Sequence, residues 1–294
     1  RRRPDASPIT IAPQSDPLFL RRAFCHRGNH CMWKGARSTL ATATTACLLA
    51  SMPAVAGQQT FSAEFQISYL GFPVARSTMQ SRISDSDFHM QGTIRSAGLG
   101  AFFDSTNATT SVGGRFEAGV TRPSNYAVSY TYGKKSKATA LGFNKGSLDK
   151  VSNDPPLPPR GPEWIGVSQE HLRGVIDPLS ATLVRASNKS KVCGRTVSIF
   201  DGEIRADVVL TPSQSAPVSL PGIAKGAVSC NARLVPVAGY NPSNRSLRYL
   251  RDKSRINITF AQLGTTSVFA PIYATVGTRY GTVTIAARRF SEGE

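Results

Sequence analysis

Apolar and polar residues alternate from residue 60 onward, the pattern of a β-strand that buries one face and exposes the other. Phe61 and Phe65 fall on one side of the first strand, and polar residues stand between them. The alternation resumes after the turn residues Gly71-Phe72-Pro73 and again after Asp85-Ser86-Asp87. It predicts three antiparallel strands whose second face, rich in Ser, Thr, Gln and Arg, meets water.

Glycine pairs and proline runs divide the rest of the chain into further strands. Gly113-Gly114 is interpreted as a hairpin turn. Asp201-Gly202 predicts a second hairpin, between Val197–Phe200 and Ile204–Leu210, because Asp-Gly readily adopts the positive φ of a tight turn. The proline-rich segment 154–162 predicts an exposed extended connection.

One segment, Ser168–Ala186, is predicted to be a long helix. Ser168 can cap it, Asp177-Pro178 can restart it at a kink, and apolar residues such as Leu172 and Leu179 fall near one face. About a dozen strands and one helix predict a mainly β protein of the α+β class. We expect a strongly curved antiparallel sheet or an open β-barrel around one long central helix.

Residues 32–56 have the organisation of a secretory signal peptide. Lys34 and Arg37 precede an apolar run, and Ala54-Val55-Ala56 is a cleavage site that predicts a mature chain starting at Gly57. The run is shorter than the roughly 20 apolar residues that span a bilayer. We therefore expect an exported protein without a transmembrane segment, with residues 57–294 forming a single periplasmic domain.

Residues 1–31 precede this signal without an apolar period, and we interpret them as a non-native extension from a start codon placed too early. A twin-arginine signal at Arg21-Arg22 is the alternative interpretation. Cys47 lacks a good lipidation motif before it, so no lipid anchor is predicted.

The part of the chain after residue 56 is basic. It holds 27 of the 35 Lys and Arg residues and 16 of the 18 Asp and Glu residues, which gives a net charge of +11. Such a surplus favours anionic partners, and nucleic acid is not expected in an exported protein. The candidate residues for the rim of a binding site, which would meet phosphates of lipid or lipopolysaccharide head groups, are Lys134, Lys135, Lys137, Arg248, Arg251 and Arg255.

Cys193 and Cys230 are the two cysteines that follow the signal peptide. An oxidising compartment favours a disulfide between them. Two cysteines with distant histidines do not make a metal site, and we predict neither a metal nor a cofactor.

The sequence lacks the usual motifs of a nucleophile, a metal-dependent hydrolase or a phosphate-binding loop. Glu170, His171 and Asp177 are the candidates for acid–base catalysis. The alternative is local: Glu170 favours the N-terminus of the predicted helix and His171 forms hydrogen bonds with its neighbours.

Four motifs carry a resemblance to a known family: LGFPVAR (70–76), HLRGVIDPLSA (171–181), FDG (200–202) and VPVAGY (235–240). They resemble DUF3108, an exported bacterial family of unknown function, over nearly all of residues 60–287. The resemblance implies a periplasmic protein of Gram-negative bacteria and supports the pairing of Cys193 with Cys230. By architecture the expected fold is also similar to half-barrel carriers of lipids and lipoproteins.

Together these observations favour a non-enzymatic periplasmic protein that binds a lipid, a lipoprotein or an acidic component of the cell envelope, with contact to a membrane surface. Two alternatives stay open. One is a hydrolase or transferase that acts on an envelope polymer through Glu170, His171 and Asp177. The other is a structural partner of another envelope protein through the proline-rich segment.

Overall fold

The computed structural model describes residues 57–103, 105–218 and 226–293. These residues contain fourteen β-strands and two short α-helices. These residues all belong to one compact unit. The predicted signal peptide and the residues before it lie outside the described residues. The strands are β1 (Gln59–Tyr69), β2 (Phe72–Ile83), β3 (Asp87–Ser96), β4 (Thr106–Glu117), β5 (Val120–Tyr132), β6 (Lys135–Asn144), β7 (Ser147–Asp154), β8 (Val184–Arg185), β9 (Arg195–Phe200), β10 (Arg205–Pro212), β11 (Val228–Ala238), β12 (Ile256–Gln262), β13 (Val268–Thr278) and β14 (Gly281–Gly293). The helices are α1 (Gly100–Phe103) and α2 (Arg245–Asp252).

All fourteen strands belong to one sheet of antiparallel pairs, as the alternation predicts. The order across the sheet is β7-β6-β5-β4-β3-β2-β1-β14-β13-β12-β11-β10-β9, and the short β8 pairs with β13. Among the described residues, β7 and β9 are the two edges of this order. Because neighbours in the sheet are mostly neighbours in the chain, short turns make most of the connections.

One face of the sheet is mainly apolar and buried, and the other is more polar and exposed. We call the buried one the inner face and the other the outer face. One row of cross-strand neighbours on the inner face consists of Ser81, Met90, Val112, Tyr126 and Leu141, all of them buried. The next row, on the outer face, consists of Gln80, Gln91, Ser111, Ala127 and Ala140, and most of its members are exposed. The period of two therefore sets the register, because a slip of one residue would bury the glutamines.

Gly113-Gly114 is not a turn, contrary to the prediction. Both glycines lie inside β4, and the register shifts between them. A Cβ on Gly114 would lie 2.4 Å from the carbonyl oxygen of Arg122 and 2.5 Å from the ring of Phe88. The glycines thus serve a bulge where another backbone approaches closely, and the chain turns at Ala118-Gly119 instead.

The predicted long helix over Ser168–Ala186 is also wrong. The segment consists of turns, one 3₁₀ turn at Ser180–Thr182 and the strand β8. Gly174 has a φ of +67°, outside the helical region, and Ile176 exchanges backbone hydrogen bonds with β9. Val175, Leu179 and Leu183 are buried in the main core with residues of β1 to β6. The apolar residues have helical spacing, but they belong to an irregular segment that packs on the inner face of the sheet.

The hairpin at Asp201-Gly202 is confirmed, between β9 and β10. Its loop is held by Asp201, whose Oδ1 accepts hydrogen bonds from the amides of Glu203 and Ile204. Gly202 has a φ of +103°, a conformation that residues with a side chain rarely adopt.

The disulfide between Cys193 and Cys230 is confirmed as well. Both residues are buried in a second apolar cluster with Leu210, Phe260 and Phe269. The bridge joins Cys193, two residues before β9, to Cys230 in β11, and thus spans β10, which pairs with both strands.

The helix α2 was missed by the sequence interpretation, which placed only basic turns there. It begins after Asn244, whose side chain accepts hydrogen bonds from the amides of Ser246 and Leu247. An asparagine cap is a readable signal in the sequence. Within the described residues, no helix has the length and apolar character needed to cross a membrane.

Candidate functional site

A cavity of about 430 Å³ lies between the residues around Pro178–Thr182 and the inner face of the sheet. Its lining comes mainly from β1 to β3, β9, β10 and β12 to β14. The lining residues are Phe65, Ile67, Ser77, Met79, Ile94, Pro178, Ala181, Thr182, Val197, Ile199, Val208, Leu210, Ile258, Phe260, Pro271, Tyr273, Ala274 and Ile285. Of these, only Ser77, Thr182 and Tyr273 have a polar atom in the side chain. A cavity of this size and polarity is suited to an apolar ligand.

Small and β-branched residues on neighbouring strands form the wall of this cavity. Ala274 in β13 stands opposite Ile258 in β12 and Ile285 in β14. Thr275, the next residue, stands opposite Asn257 and Thr284, which are polar. Ala274 lines the cavity, whereas Thr275 does not and stands among polar neighbours on the other face of the sheet.

The residues around Pro178–Thr182 form what we call the floor of the cavity. Hydrogen bonds, and not a helix, hold this segment in place. Asp177 Oδ1 accepts hydrogen bonds from the amides of Leu179 (2.9 Å) and Ser180 (2.8 Å). The hydroxyl of Thr121 in β5 donates to the carbonyl of Leu183 at 3.1 Å. The segment is thereby attached to β5, and through Ile176 also to β9.

A smaller apolar cavity of about 100 Å³ adjoins the first one. Phe65, Met79, Thr182 and Pro271 line both cavities. These four side chains thus stand between a larger and a smaller apolar space.

Asp177 and Ser180 are fully buried polar residues. Asp177 Oδ2 and Ser180 Oγ lack a hydrogen-bond partner of good geometry among the described residues. Burial raises the pKa of Asp177 above its usual value, and the hydrogen bonds from Ser180 and Leu179 oppose this shift. Burial also raises the pKa of the neighbouring Tyr126 to about 12, although a hydrogen bond with Thr110 lowers it.

The three candidates for catalysis occupy different environments. Asp177 is fully buried and binds the backbone of its own segment, whereas Glu170 is exposed. His171 is half-buried, and its Nδ1 accepts a hydrogen bond from the amide of Ser168 at 3.1 Å. His171 thus forms a local hydrogen bond, as the alternative interpretation predicts, but the predicted role of Glu170 at a helix N-terminus is wrong, because no helix forms in this segment. Among the described residues, no group of three or more His, Cys, Asp or Glu is placed to hold a metal ion.

The candidate rim residues lie at one end of the sheet. Lys134 is in the turn from β5 to β6, Lys135 and Lys137 lie at the start of β6, Arg248 and Arg251 are on α2, and Arg255 precedes β12. The antiparallel order puts these connections at the same end, together with the turns from β1 to β2 and from β13 to β14. We call this the upper end.

Two of the rim residues face carboxylates. Arg251 forms hydrogen bonds of 2.7 and 2.9 Å with Asp252, and the pKa of that carboxyl is lowered by the hydrogen bond with Arg251. Lys137 lines a groove of about 410 Å³ that also contains Asp154, Asp201 and Glu203. Lys134, Arg248 and Arg255 are exposed.

A shallow depression of about 510 Å³ lies on the outer face across β2 to β7. Its lining consists mainly of short polar side chains and alanines, and several hydroxyls bond one another across strands. Thr78 bonds Thr93 at 2.7 Å, and Thr109 bonds Ser129 at 2.9 Å. Because these groups are already paired and exposed, the apolar cavity is the better candidate site.

Comparison with known proteins assigns the family. The family model described as "Protein of unknown function (DUF3108)" matches residues 64–288. The chain belongs to this family. No curated protein matches the chain.

One similar solved structure is the "Beta-barrel-like Protein of Domain of Unknown Function DUF1849 from Brucella abortus". It is 8% identical to this chain, with a TM-score of 0.41, and the match covers 81% of this chain and 98% of that one.

The motifs that resemble the DUF3108 family lie at identifiable places in the fold. The first (70–76) is the turn from β1 to β2, the second (171–181) includes part of the cavity floor, and the third (200–202) is the hairpin loop after β9. The fourth (235–240) ends β11, where Tyr240 and Gly239 exchange backbone hydrogen bonds with Ile165.

Proposed function

We propose that this DUF3108 protein is a non-enzymatic protein of the bacterial cell envelope that binds an amphiphile, with the acyl part of a lipid or lipoprotein in the apolar cavity. The observation that carries the proposal is the lining of the 430 Å³ cavity, in which fifteen of eighteen residues have no polar side-chain atom.

The energetics support an acyl ligand. Each methylene transferred from water contributes about 0.8 kcal/mol, so ten methylenes contribute about 8 kcal/mol before the costs of association. Water in this cavity would find few hydrogen-bond partners, because only Ser77, Thr182 and Tyr273 have a polar side-chain atom in the lining.

A strongly curved, barrel-like sheet is part of the proposal. Two contacts support it: Asn153 of β7 donates a hydrogen bond to the carbonyl of Gly202 beside β9, and Arg160 pairs with Glu203. In a flat sheet of thirteen strands spaced about 4.8 Å apart, the edges would be separated by about 58 Å. Such contacts between the two ends of the strand order favour an open barrel with the cavity inside.

We also propose that the protein acts in the periplasm after removal of residues 32–56. The disulfide of Cys193 and Cys230 supports an oxidising compartment. N-terminal sequencing of the protein from cell fractions tests this proposal. A chain that starts at Gly57 in the periplasmic fraction is the expected result, and one that retains Met32 would contradict it.

The test of ligand binding uses a pair of variants of equal size on opposite faces. Ala274→Phe fills the cavity, and Thr275→Phe places the same ring on the outer face. We expect Ala274→Phe to lose binding of a fluorescent fatty acid at least about tenfold, since the ring occupies the volume that the acyl chain needs. Thr275→Phe should bind as the wild type does. Equal binding by all three proteins would refute the proposal.

A further inference from the structure

Large apolar side chains are exposed at the upper end of the sheet. Leu70 is 57% exposed, Phe72 59%, Leu99 46% and Tyr280 68%. They lie in or directly beside three connections, β1–β2, β3–β4 and β13–β14, which are neighbours because the strand order there is β4-β3-β2-β1-β14-β13. We call these four residues the apolar tip.

Hydrogen bonds join the three connections to one another. The amide of Leu70 donates to the carbonyl of Thr282 at 3.0 Å, and the hydroxyl of Tyr69 donates to the carbonyl of Tyr280 at 2.6 Å. On the other side, the amide of Leu99 donates to the carbonyl of Pro73 at 3.2 Å. The three connections that carry the apolar tip are thus held together by hydrogen bonds.

The backbone conformation of Leu70 is one that a bulky apolar residue rarely adopts. Its φ is +49° and that of Gly71 is +87°, so both central residues of the turn are left-handed. Asn or Asp is preferred before Gly in such turns, and a bulky apolar residue is disfavoured. At this position the chain presents a leucine to water in a conformation that costs energy.

Basic residues flank the β1–β2 and β13–β14 turns of the apolar tip, and these two turns contain no acidic residue. The segments 69–76, 254–256 and 277–284 contain Arg76, Arg255 and Arg279, and no Asp or Glu. The guanidinium of Arg279 stacks on the ring of Tyr280, 4.8 Å from its centroid. Arg255 adjoins the same turn, because its carbonyl accepts a hydrogen bond from the amide of Gly277.

The next connections along the sheet extend this positive charge on both sides. Lys134 stands in the β5–β6 turn and Lys135 begins β6, beyond Leu99. Arg248 and Lys253, both exposed, lie in or directly after α2, beyond Tyr280. The upper end therefore combines an apolar centre with basic residues on both sides, among which Arg251 pairs with Asp252.

We propose that the upper end docks on a membrane surface that contains anionic lipids. The apolar tip enters the interfacial layer, where tyrosine and other side chains with an apolar body and a polar end are stable. Arg255 and Arg279 bind the phosphates of the head groups, and Lys134 and Lys135 add long-range attraction. This proposal goes beyond ligand binding in the cavity and does not require the cavity to be occupied.

The charge argues for a lipid surface rather than a second copy of this chain. Two copies that met through the apolar tip would bring Arg255, Arg279 and their equivalents together, which is repulsive. An anionic bilayer offers the opposite charge and an apolar layer at the same time.

The test measures co-flotation of the protein with vesicles of phosphatidylcholine, alone or with phosphatidylglycerol. The sample is the processed protein purified from the producing cells, and its N-terminus is sequenced before the measurement. We expect binding to the anionic vesicles that weakens with added salt. The combined variant Leu70→Asn, Phe72→Ser, Tyr280→Ser should bind at least about tenfold more weakly.

Two controls separate the apolar tip from general surface effects. Val120 is an exposed apolar residue, 47% accessible, at the opposite end of the sheet, so Val120→Ser should leave vesicle binding unchanged. Ala274→Phe fills the cavity and should also leave it unchanged, which distinguishes docking from ligand binding. Leu70→Asn alone is the variant to use if the combined one does not fold, because Asn suits that turn.

Three results would overturn the proposal. The first is a wild-type protein that does not float with anionic vesicles or floats equally with neutral ones. The second is equal loss of binding in Val120→Ser and in the tip variants. The third is a wild-type protein that sediments as a dimer while the tip variants sediment as monomers. The apolar tip would then be an interface between copies of the chain.

Discussion

The side-chain amide of Asn153, in β7, donates a hydrogen bond of 3.0 Å to the carbonyl oxygen of Gly202, in the loop between β9 and β10. These residues belong to opposite ends of the strand order. The carbonyl oxygen of the Asn153 side chain in turn accepts a hydrogen bond of 2.7 Å from Thr139. Two ends of one sheet are therefore joined by a side chain, although no backbone ladder between β7 and β9 is present among the described residues.

We expect Asn153→Ala to reduce the free energy of unfolding by about 1 kcal/mol, because it removes two partly buried hydrogen bonds to neutral groups. Urea denaturation measures this change. Asn107→Ala, at an exposed position of β4, is the matched control and should change stability by less than about 0.5 kcal/mol. Equal effects of the two substitutions would mean that Asn153 does not hold the ends together.

Replacing Cys193 and Cys230 together by alanine should lower the free energy of unfolding by about 4 kcal/mol. The bridge closes a loop over a sequence separation of 37, and in the chain-entropy model its removal frees the unfolded chain by that amount. Denaturation of the wild type with and without reductant should reproduce the difference. Quantitative alkylation of both thiols in protein from an oxidising preparation would contradict the prediction.

The buried carboxyl of Asp177 should make stability depend on pH. Burial raises its pKa in the folded state, so as pH rises above the usual value of 3.8 the unfolded chain ionises first. The wild type then loses free energy of unfolding until pH exceeds the raised pKa, by at most about 1.4 kcal/mol per pH unit.

Asp177→Asn keeps an oxygen that accepts hydrogen bonds from Leu179 and Ser180 but cannot ionise. We expect this variant to lose the pH dependence due to residue 177, so that its stability relative to the wild type rises from about pH 4 upward. Urea titrations of both proteins at a series of pH values measure this difference. A constant difference over the whole series would show that the carboxyl is not perturbed.

The binding proposal and the enzyme alternative depend on different residues. Binding of anionic head groups needs the basic residues of the upper end, whereas catalysis needs His171. Reversing Arg248 and Arg255 to glutamate should impair resistance of the producing cells to detergents, because anionic head groups would then be repelled. His171→Ala should leave that resistance intact, since its ring accepts a hydrogen bond from the amide of Ser168, three residues earlier in the same segment.

Complementation of a deletion strain provides the readout, with circular dichroism to show that each protein is folded. A folded His171→Ala protein without activity, beside a fully active charge-reversed one, would support the enzyme alternative instead.

The sequence predicts the strands well where local information is sufficient. The alternation around Phe61 and the Asp201-Gly202 loop gave correct strands because pleating and turn chemistry act over a few residues. Gly113-Gly114 misled the interpretation because a bulge and a turn use glycine for different reasons. Only the partner strand, which brings Arg122 close, distinguishes the two.

The segment after Ser168 shows where sequence patterns stop being sufficient. Its apolar spacing fits a helix, yet the sheet supplies the contacts for Val175 and Leu179, and β9 supplies backbone partners for Ile176. Tertiary contacts thus replace the helical hydrogen bonds. The cavity was not visible in the sequence either, because Ile67, Val208 and Ala274 meet there from distant strands.

Native mass spectrometry of the protein, recovered gently from the cells that produce it, tests the central claim most directly. The account predicts that the wild type and Thr275→Phe carry an acyl-chain amphiphile as additional mass, and that Ala274→Phe does not. The same additional mass on Ala274→Phe, or a wild-type protein with the mass of the polypeptide alone, would contradict the assignment of the apolar cavity as the binding site.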